Sequence, residues 1–328
     1  MIKILFNTFL GLVLIFIWSR FVDLNQILQT ISKTNVIFLI PSFLCMLASP
    51  FIRAVRLKVF LAEIKKIPLT DLFFLNGASI LLNFLIPIRA GEVAKGVYLN
   101  TRYEFKLAKS VIWIFLDRFV DFLVVLAVTA VLLLIIPTAL SINIIIVITI
   151  ILTLALLLTY LAVFRLGFSK KLVNFLMPLF IERHIKIYFD RFSHFILDSF
   201  SVLKRHPKDL ILMGILTVLA YGADGGIWYF TFQALGVNPG VLKMYLGQML
   251  SALTYLIPAA PGYVGSAEAS GALILSGVFG FDLNLASSMI VLFHITTAIF
   301  VIVFGLIAIF NLKLDLGLIF RKALRKGD

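Results

Sequence analysis

The chain has 328 residues, of which 62% are apolar and 14% charged, and its formal net charge is +13. A soluble domain carries about a quarter charged residues, so the composition excludes a water-soluble protein and indicates an integral membrane protein. The single cysteine, Cys45, excludes an internal disulfide.

The apolar stretches predict an all-α polytopic membrane protein, because about 20 predominantly apolar residues in a helix cross a bilayer. The first stretch lacks a small-residue cleavage site, so we interpret the segment 1–35 as a retained anchor helix rather than a signal peptide. Six stretches have spanning length, and they cover about 4–22, 36–62, 110–137, 141–164, 209–235 and 284–311.

Two shorter apolar stretches, 70–87 and 243–258, each end at Leu-Ile-Pro before a glycine-containing turn. Another short segment follows each of them. Non-helical backbone at membrane depth is tolerated only where protein or a cavity surrounds it. We therefore predict two re-entrant helical hairpins, 70–100 and 243–280, rather than further spans.

The basic residues predict the orientation of the chain. With the N-terminus inside, six spans return the C-terminus to the inside, and all but three of the 29 Lys and Arg residues then lie inside or at inner span ends. We predict a cell-membrane protein whose linking segment 138–208 holds a span and a cytoplasmic amphipathic helix, and whose basic tail 312–328 is cytoplasmic. Because the charge reports orientation, we expect no nucleic-acid partner. The three outer residues are Arg20, Lys33 and Lys243.

The sequence contains an internal repeat. A shift of 171 residues aligns 68–87 with 239–258, with six identical positions that include both prolines. Five extra residues in the later copy change the shift to 176 beyond that point. The two copies, 36–137 and 209–311, enter the predicted topology from opposite sides. Inverted repeats of this kind are typical of secondary transporters, whose sites lie near the midplane where helices break.

The same shifts pair the charged residues of the membrane domain. A charged side chain at the bilayer centre costs roughly 2.5 to 3.5 kcal/mol on insertion scales, so such residues are usually paired, wet or functional. We therefore expect a polar centre around a pseudo-two-fold axis. The matched positions are Arg53 with Asp224, Glu92 with Glu268, and Arg118 with His294.

Two arginines and two aspartates form the first candidate groups. Arg53 and Arg56 present guanidinium forks that suit a phosphate, although a pair that snorkels to the inner boundary is the alternative. Asp117 and Asp121 lie four residues apart on one helical face, so an arginine from another helix can bridge them. Arg53 is our candidate for that bridge, and a purely structural salt-bridge network is the alternative interpretation.

The turns of the two hairpins carry the next candidates. After Pro87 come Arg89, Glu92 and Lys95, where free backbone N–H groups suit an anion. A carboxylate in that first turn satisfies the same N–H groups, so Glu92 is expected to meet a cationic head group or a proton. The second hairpin has the same arrangement, with a turn at Gly262 and Gly265 that is followed by a glutamate.

Six further residues complete the candidate site. Glu268 has no sequence neighbour of opposite sign, so it requires a tertiary partner or protonation. His294 either relays a proton or simply bonds a neighbouring helix. Asp224 lies among small residues that permit close helix approach. Polar groups at a similar predicted depth are Asn83, Tyr221 and Tyr255.

These motifs resemble the flippase-like membrane region of lysylphosphatidylglycerol synthases. The resemblance rests on the Arg53/Arg56 pair, the run 87–92, the Asp-Arg-Phe-Val-Asp signature 117–121 and the segment 261–268, and it covers nearly the whole chain. It implies movement of aminoacylated phospholipid between leaflets, or of other lipids such as polyprenyl-phosphate-linked sugars in stand-alone relatives.

Two departures from the family pattern affect what the resemblance implies. The soluble domain that makes the aminoacyl ester does not occur in this sequence, so we expect no lysyltransferase activity. Asp117 stands where the family commonly has Glu, and Lys95 where Arg is frequent. Both keep the charge, but Lys95 loses bidentate binding.

We therefore predict a lipid translocase with no cofactor. Its predicted partners are membrane lipids, and a second copy of the chain is a further candidate partner. No metal-ligand spacing, nucleophile elbow or phosphate loop occurs in the sequence. Arg53 and Arg118 are expected to hold a phosphate, with Glu92 and Glu268 meeting an amine, a sugar hydroxyl or a coupling proton. The alternatives are a membrane-embedded transferase acting on a lipid phosphate and an ion-coupled carrier of a small solute.

Overall fold

The computed structural model describes residues 2–62, 65–86, 90–105, 107–164, 207–254, 260–315 and 317. Within these ranges the chain forms eleven α-helices and no strand, so the predicted all-α fold is confirmed. Most of the predicted amphipathic helix in 165–208 and most of the tail 312–328 lie outside the described residues. The helices are α1 Ile2–Ser19, α2 Leu24–Ser32, α3 Leu39–Leu61, α4 Leu69–Leu85, α5 Ala90–Tyr103, α6 Leu107–Ile135, α7 Ile142–Phe164, α8 Pro207–Ala234, α9 Val241–Thr254, α10 Ser266–Ala272 and α11 Leu283–Leu312.

Four helices are long and apolar enough to cross a membrane, and this protein is a multi-pass membrane protein. Among the described residues, the crossing stretches are Val36–Leu61, Trp113–Ile135, Lys208–Ala234 and Leu283–Leu312. The first predicted span adds a fifth if α1 and α2, which are bent by 90°, count as one. The predicted number of six spans stays a prediction.

The chain between α1 and α2 bends because its polar residues bond to α2 and α11. Asp23 caps α2 by accepting from the N–H groups of Asn25 and Gln26. The Asp23 N–H donates to Asn284 Oδ1 at 2.9 Å, and the Asn284 amide donates to Gln26 Oε1 at 2.7 Å. These contacts hold α2 against the start of α11.

The four helices of the predicted hairpins are all short. α4, α5, α9 and α10 contain 17, 14, 14 and 7 residues, below the roughly 20 residues of a crossing helix. The tip of the first hairpin is also tied by hydrogen bonds, because Asn83 accepts from the Gly91 N–H at 2.8 Å. The breaks fall where the sequence predicts them, while the re-entrant placement stays a prediction.

Polar side chains join the other ends of α4 and α5. The hydroxyls of Tyr98 and Tyr103 both donate to Asp71 Oδ2, at 2.8 and 2.6 Å. Burial, together with that hydrogen bond, raises the pKa of Tyr103 to about 12, so the phenol remains a donor. α4 and α5 are therefore fastened at both ends of the hairpin.

Helix starts recur at the spacing of the predicted repeat. α5 begins at 90 and α10 at 266, and α6 begins at 107 and α11 at 283; both offsets equal 176. The packing recurs as well, since α4 packs on α11 while α9 packs on α6, and α3 packs on α8. This recurrence supports the repeat, and its inverted symmetry stays a prediction.

Large apolar side chains on several helices are exposed, while small residues allow tight contacts inside. Exposed Ile, Leu and Phe side chains occur on α1, α7, α8 and α11, as a membrane environment permits. A Cβ added at Gly305 of α11 would collide with Leu81 of α4, and one at Gly77 would collide with Phe304. The close α4–α11 contact therefore depends on these glycines.

Candidate functional site

Arg56 is the centre of the first polar cluster. Its guanidinium bridges Asp117 and Asp121 of α6: Nε lies 3.0 Å from Asp117 Oδ1, and the two Nη atoms bond the Asp121 carboxylate. Arg56 also donates to Thr217 Oγ1 of α8 at 2.6 Å, and its side chain is 1% exposed. The prediction that Arg53 forms this bridge is wrong. Positions three residues apart differ by about 60° around the helix and about 4.5 Å along it, so Arg53 and Arg56 meet different neighbours.

Arg53 instead pairs with Asp224 of α8. Its Nη2 lies 2.7 Å from Asp224 Oδ2, Ser49 one turn earlier accepts from Nη1, and the guanidinium carbon lies 5.2 Å from the centre of the Tyr221 ring. Arg53 and Asp224 are equivalent positions of the predicted repeat. Direct pairing of equivalent residues is expected on a two-fold axis.

Small residues on α8 make this pairing possible. A Cβ at Gly226 would lie 2.8 Å from Cys45 Sγ of α3, and one at Gly225 would lie 3.0 Å from Tyr245 Cα of α9. A Cβ at Gly222 would meet nothing within 4 Å. The predicted close approach therefore depends on the two glycines that follow Asp224.

Arg118 lies at the accessible edge of the same cluster. Its Nη2 is 2.9 Å from Asp117 Oδ2 and its Nη1 is 3.2 Å from Asp121 Oδ2. Nε is 3.8 Å from Glu92 Oε1, and Lys95 Nζ is 3.6 Å from Glu92 Oε2. The Arg118 side chain is 35% exposed, whereas that of Lys95 is 6% exposed.

Two buried atoms of this edge keep hydrogen-bonding capacity. Glu92 Oε2 and Arg118 Nε form no hydrogen bond within the described part of the chain. A buried donor or acceptor without a partner costs roughly 1 to 3 kcal/mol. The edge around Glu92 and Arg118 is therefore the part of the cluster best able to accept a polar group from a ligand.

A second polar cluster lies at the second hairpin. Glu268 Oε2 accepts from the Gly265 N–H at 2.7 Å, and its other oxygen pairs with His294 Nδ1 of α11. His294 Nε2 lies 2.7 Å from the Gly262 carbonyl oxygen. The tertiary partner that the sequence analysis requires for Glu268 is thus His294.

The structure brings most of the predicted residues into these two clusters. Asn83 lies in neither, since its side-chain oxygen bonds the first hairpin tip. Arg89 and Tyr255 lie outside the described residues. Within the described ranges, no group of three or more His, Cys, Asp and Glu side chains is arranged to hold a metal ion.

Sequence reasoning missed two hydroxyl partners of the arginines. Ser49 precedes Arg53 by four residues, which places both on one face of α3. Thr217 precedes Asp224 by seven residues, about two turns, so both face the cluster. A search for hydroxyl residues at these spacings around each buried charge would have found both.

One comparison with known proteins gives a match. The family model described as "Lysylphosphatidylglycerol synthase TM region" matches residues 2–305, which include both polar clusters and both hairpins. A search of curated proteins gives no match. The resemblance stated from the motifs is therefore confirmed over most of the chain.

Proposed function

The chain belongs to the lysylphosphatidylglycerol synthase transmembrane-region family, and from this membership we propose that it is a lipid translocase of the cell membrane. The lipid would be a phospholipid, an aminoacylated phospholipid or a polyprenyl-phosphate-linked lipid. Its head group crosses through the polar centre while its acyl chains stay in the bilayer, with both protein termini on the cytoplasmic side.

The observation that carries this proposal is the exposure of the Arg118 side chain. This side chain is the most exposed of the three arginine side chains in the centre, at 35% against 17% for Arg53 and 1% for Arg56. Arg53 and Arg56 are held by carboxylates and hydroxyls on neighbouring helices. Arg118 is therefore the residue best placed to exchange a carboxylate for a lipid phosphate, which a guanidinium binds with two parallel hydrogen bonds.

The charge balance favours a head group that carries both signs. The described first cluster holds four basic and four acidic side chains, so a lone phosphate would give the cluster an excess of negative charge. An uncompensated buried charge costs roughly 3 to 5 kcal/mol. An amine on the same head group would restore the balance by pairing with Glu92 or Asp117, two carboxylates that Arg118 contacts. The eight side chains are Arg53, Arg56, Lys95, Arg118, Glu92, Asp117, Asp121 and Asp224.

The two hairpins also support transport. Glu92 pairs with Arg118, and Glu268 pairs with His294, and the members of each pair are 26 residues apart. Each repeat therefore joins its second hairpin helix to its last long helix through one polar pair. Repeated broken helices that meet at a polar centre are typical of alternating-access carriers.

Reconstitution in liposomes tests the proposal. The measurement follows exchange of fluorescent anionic, zwitterionic and aminoacylated lipids between leaflets. We expect accelerated exchange of at least one class, and a loss of about tenfold or more in Arg118→Ala, since a charge-assisted hydrogen bond contributes about 1.5 to 3 kcal/mol. Lys58→Ala, which removes an exposed cation on α3, is the matched control and should exchange lipid like the wild type.

Three outcomes would overturn the proposal, and a fourth would indicate a different carrier. The first is no acceleration for any lipid class, and the second is full activity in Arg118→Ala. The third is head-group turnover in detergent without leaflet exchange, which would indicate a lipid-phosphate transferase. Uptake of a soluble solute without lipid exchange would indicate a small-solute carrier.

A further inference from the structure

Both ring nitrogens of His294 face hydrogen-bond acceptors. Nδ1 bonds the Glu268 carboxyl group, and Nε2 lies 2.7 Å from the Gly262 carbonyl oxygen. A neutral imidazole has a single N–H, and a carbonyl or an ionised carboxylate can only accept. A neutral ring next to an ionised carboxylate therefore cannot form both hydrogen bonds. One additional proton, on the ring or on the carboxyl group, is needed. We propose that the Glu268–His294 pair is a binding site for one exchangeable proton, and that this proton is the coupling ion of the carrier.

The proton belongs on the imidazole rather than on the carboxyl group. The second oxygen of Glu268 accepts from the Gly265 N–H at 2.7 Å, and a hydrogen bond of this kind favours the ionised carboxylate. Glu268 also lies in the first turn of α10, where the backbone N–H groups point toward it. The structure therefore corresponds to an imidazolium paired with a carboxylate.

The first repeat contains the permanent form of the same pair. Glu92 and Arg118 occupy the positions equivalent to Glu268 and His294, and their side chains lie 3.8 Å apart. A guanidinium keeps its proton at every working pH. Replacement of that guanidinium by an imidazole makes the second pair alone able to take up and release a proton.

Release of the proton changes the contact between the second hairpin and α11. A neutral ring can donate either to Glu268 or to the Gly262 carbonyl, so one of the two contacts must be lost. Gly262 and Gly265 have φ of +70° and +81°, and a Cβ at Gly265 would collide with the Gly11 backbone of α1. The proton therefore stabilises the contact between α11 and the glycine-rich turn 262–265, which also packs on α1.

Few other charges act on this pair. Among the described residues packed on α11, Glu268 of α10 is the charged group that bonds the imidazole, and α4 faces it with the Phe84 ring, at 6.4 Å between centroids. Of the interior charges of α3 and α8, Arg53 and Asp224 bind each other, and Arg56 is bound by Asp117 and Asp121. The remaining charged groups on the neighbouring helices α2 and α4 are Asp23, which caps its own helix, and Asp71, which accepts from two tyrosines.

Nitrogen-15 NMR of labelled histidine in detergent tests the site without any transport assay. The chain has four histidines, and the His294 signals are those lost in His294→Gln. At about pH 7, where an unperturbed imidazole is mostly neutral, we expect a doubly protonated His294 ring. In Glu268→Gln we expect a singly protonated ring at the same pH. His206→Gln is the control, and it should leave the His294 signals unchanged.

The proton site is wrong if His294 is a single neutral tautomer throughout the range from about pH 5 to pH 9. It is also wrong if Glu268→Gln leaves the protonation of the His294 ring unchanged. If Glu268→Gln fails to fold, its methyl NMR spectrum loses the dispersion of the wild-type spectrum. Glu268→Asp, which keeps the carboxylate, is then used instead, and it should retain the doubly protonated ring.

Coupling is tested in vesicles with a pH gradient and no other ion gradient, and it rests on the proposed function. Wild-type protein should move labelled lipid against its leaflet distribution in step with proton flux, measured with an internal pH dye. In His294→Arg, the residual exchange should be the same with and without the gradient. If wild-type lipid exchange is the same with and without the pH gradient, proton coupling is wrong, but the proposed translocase function is not contradicted. Absence of all lipid exchange would overturn the translocase, and the NMR result would still decide the proton site.

Discussion

The arginines of the polar centre differ in how deeply they are buried and in how many partners they have. Arg56 is enclosed by two carboxylates and the Thr217 hydroxyl, while Arg118 shares the same aspartates but reaches the surface of the cluster. Arg56 therefore stabilises the packing of α3 on α6 and α8, whereas Arg118 is the residue that the proposed function assigns to a lipid phosphate. The structural network, which was one of the two alternatives drawn from the sequence, thus lies beside the proposed binding residue.

The role of Arg56 leads to a prediction about stability. Asp121→Asn removes the carboxylate that both Nη atoms of Arg56 bond, and loss of one partner of a buried pair costs roughly 3 to 5 kcal/mol. We expect a correspondingly lower free energy of unfolding in detergent. Glu104→Gln is the control, because this side chain is 90% exposed and such substitutions change stability by about 0.5 kcal/mol or less. Equal stability of the two variants would contradict the structural role of Arg56.

At the scale of elements, the second hairpin depends on glycine conformation. Gly265 precedes α10 with φ of +81° and lies against the backbone of α1. A side chain at that position is strained by its backbone conformation and obstructed by Gly11. The turn can therefore exist only with glycine at this position, and α1 is part of the hairpin's packing.

Alanine substitution measures this requirement. We expect Gly265→Ala to destabilise the protein by at least about 1 to 3 kcal/mol, the usual cost of a strained backbone position, with lower thermal stability in detergent. Gly277→Ala is the matched control in the same hairpin, because a Cβ there meets nothing within 4 Å. If Gly265→Ala is as stable as Gly277→Ala, the requirement for glycine at position 265 is contradicted.

At the scale of the molecule, the two repeats share the starting positions of two helix pairs but differ in chemistry. The first hairpin is closed by Asp71, Tyr98 and Tyr103, whereas the positions equivalent to the tyrosines are Ile274 and Phe279 in the apolar core. The first repeat also holds a permanent Glu–Arg pair where the second holds a Glu–His pair. The proposed proton site thus lies in one repeat only, while the equivalent position of the other repeat holds a permanent ion pair.

Topology is a prediction for the whole molecule. Single cysteines introduced at Lys243 and within 165–206, in a Cys45→Ser background, should be labelled from the outer and the inner side respectively, because basic residues collect on the cytoplasmic side. The measurement uses a membrane-impermeant thiol reagent on intact cells and on opened membranes. The reverse labelling pattern would overturn both the orientation and the directions of the two hairpins.

The sequence by itself determined the membrane class, the helical fold, the helix breaks and the positions of the buried charges. These follow from composition and from local signals such as proline and glycine, which act within a few residues. Only the tertiary structure decided that Arg56 rather than Arg53 bridges Asp117 and Asp121, and that His294 meets Glu268. The reason is geometric: Arg53 and Arg56 differ by only about 60° in direction, so which of them meets a given carboxylate depends on how each helix is rotated in the bundle.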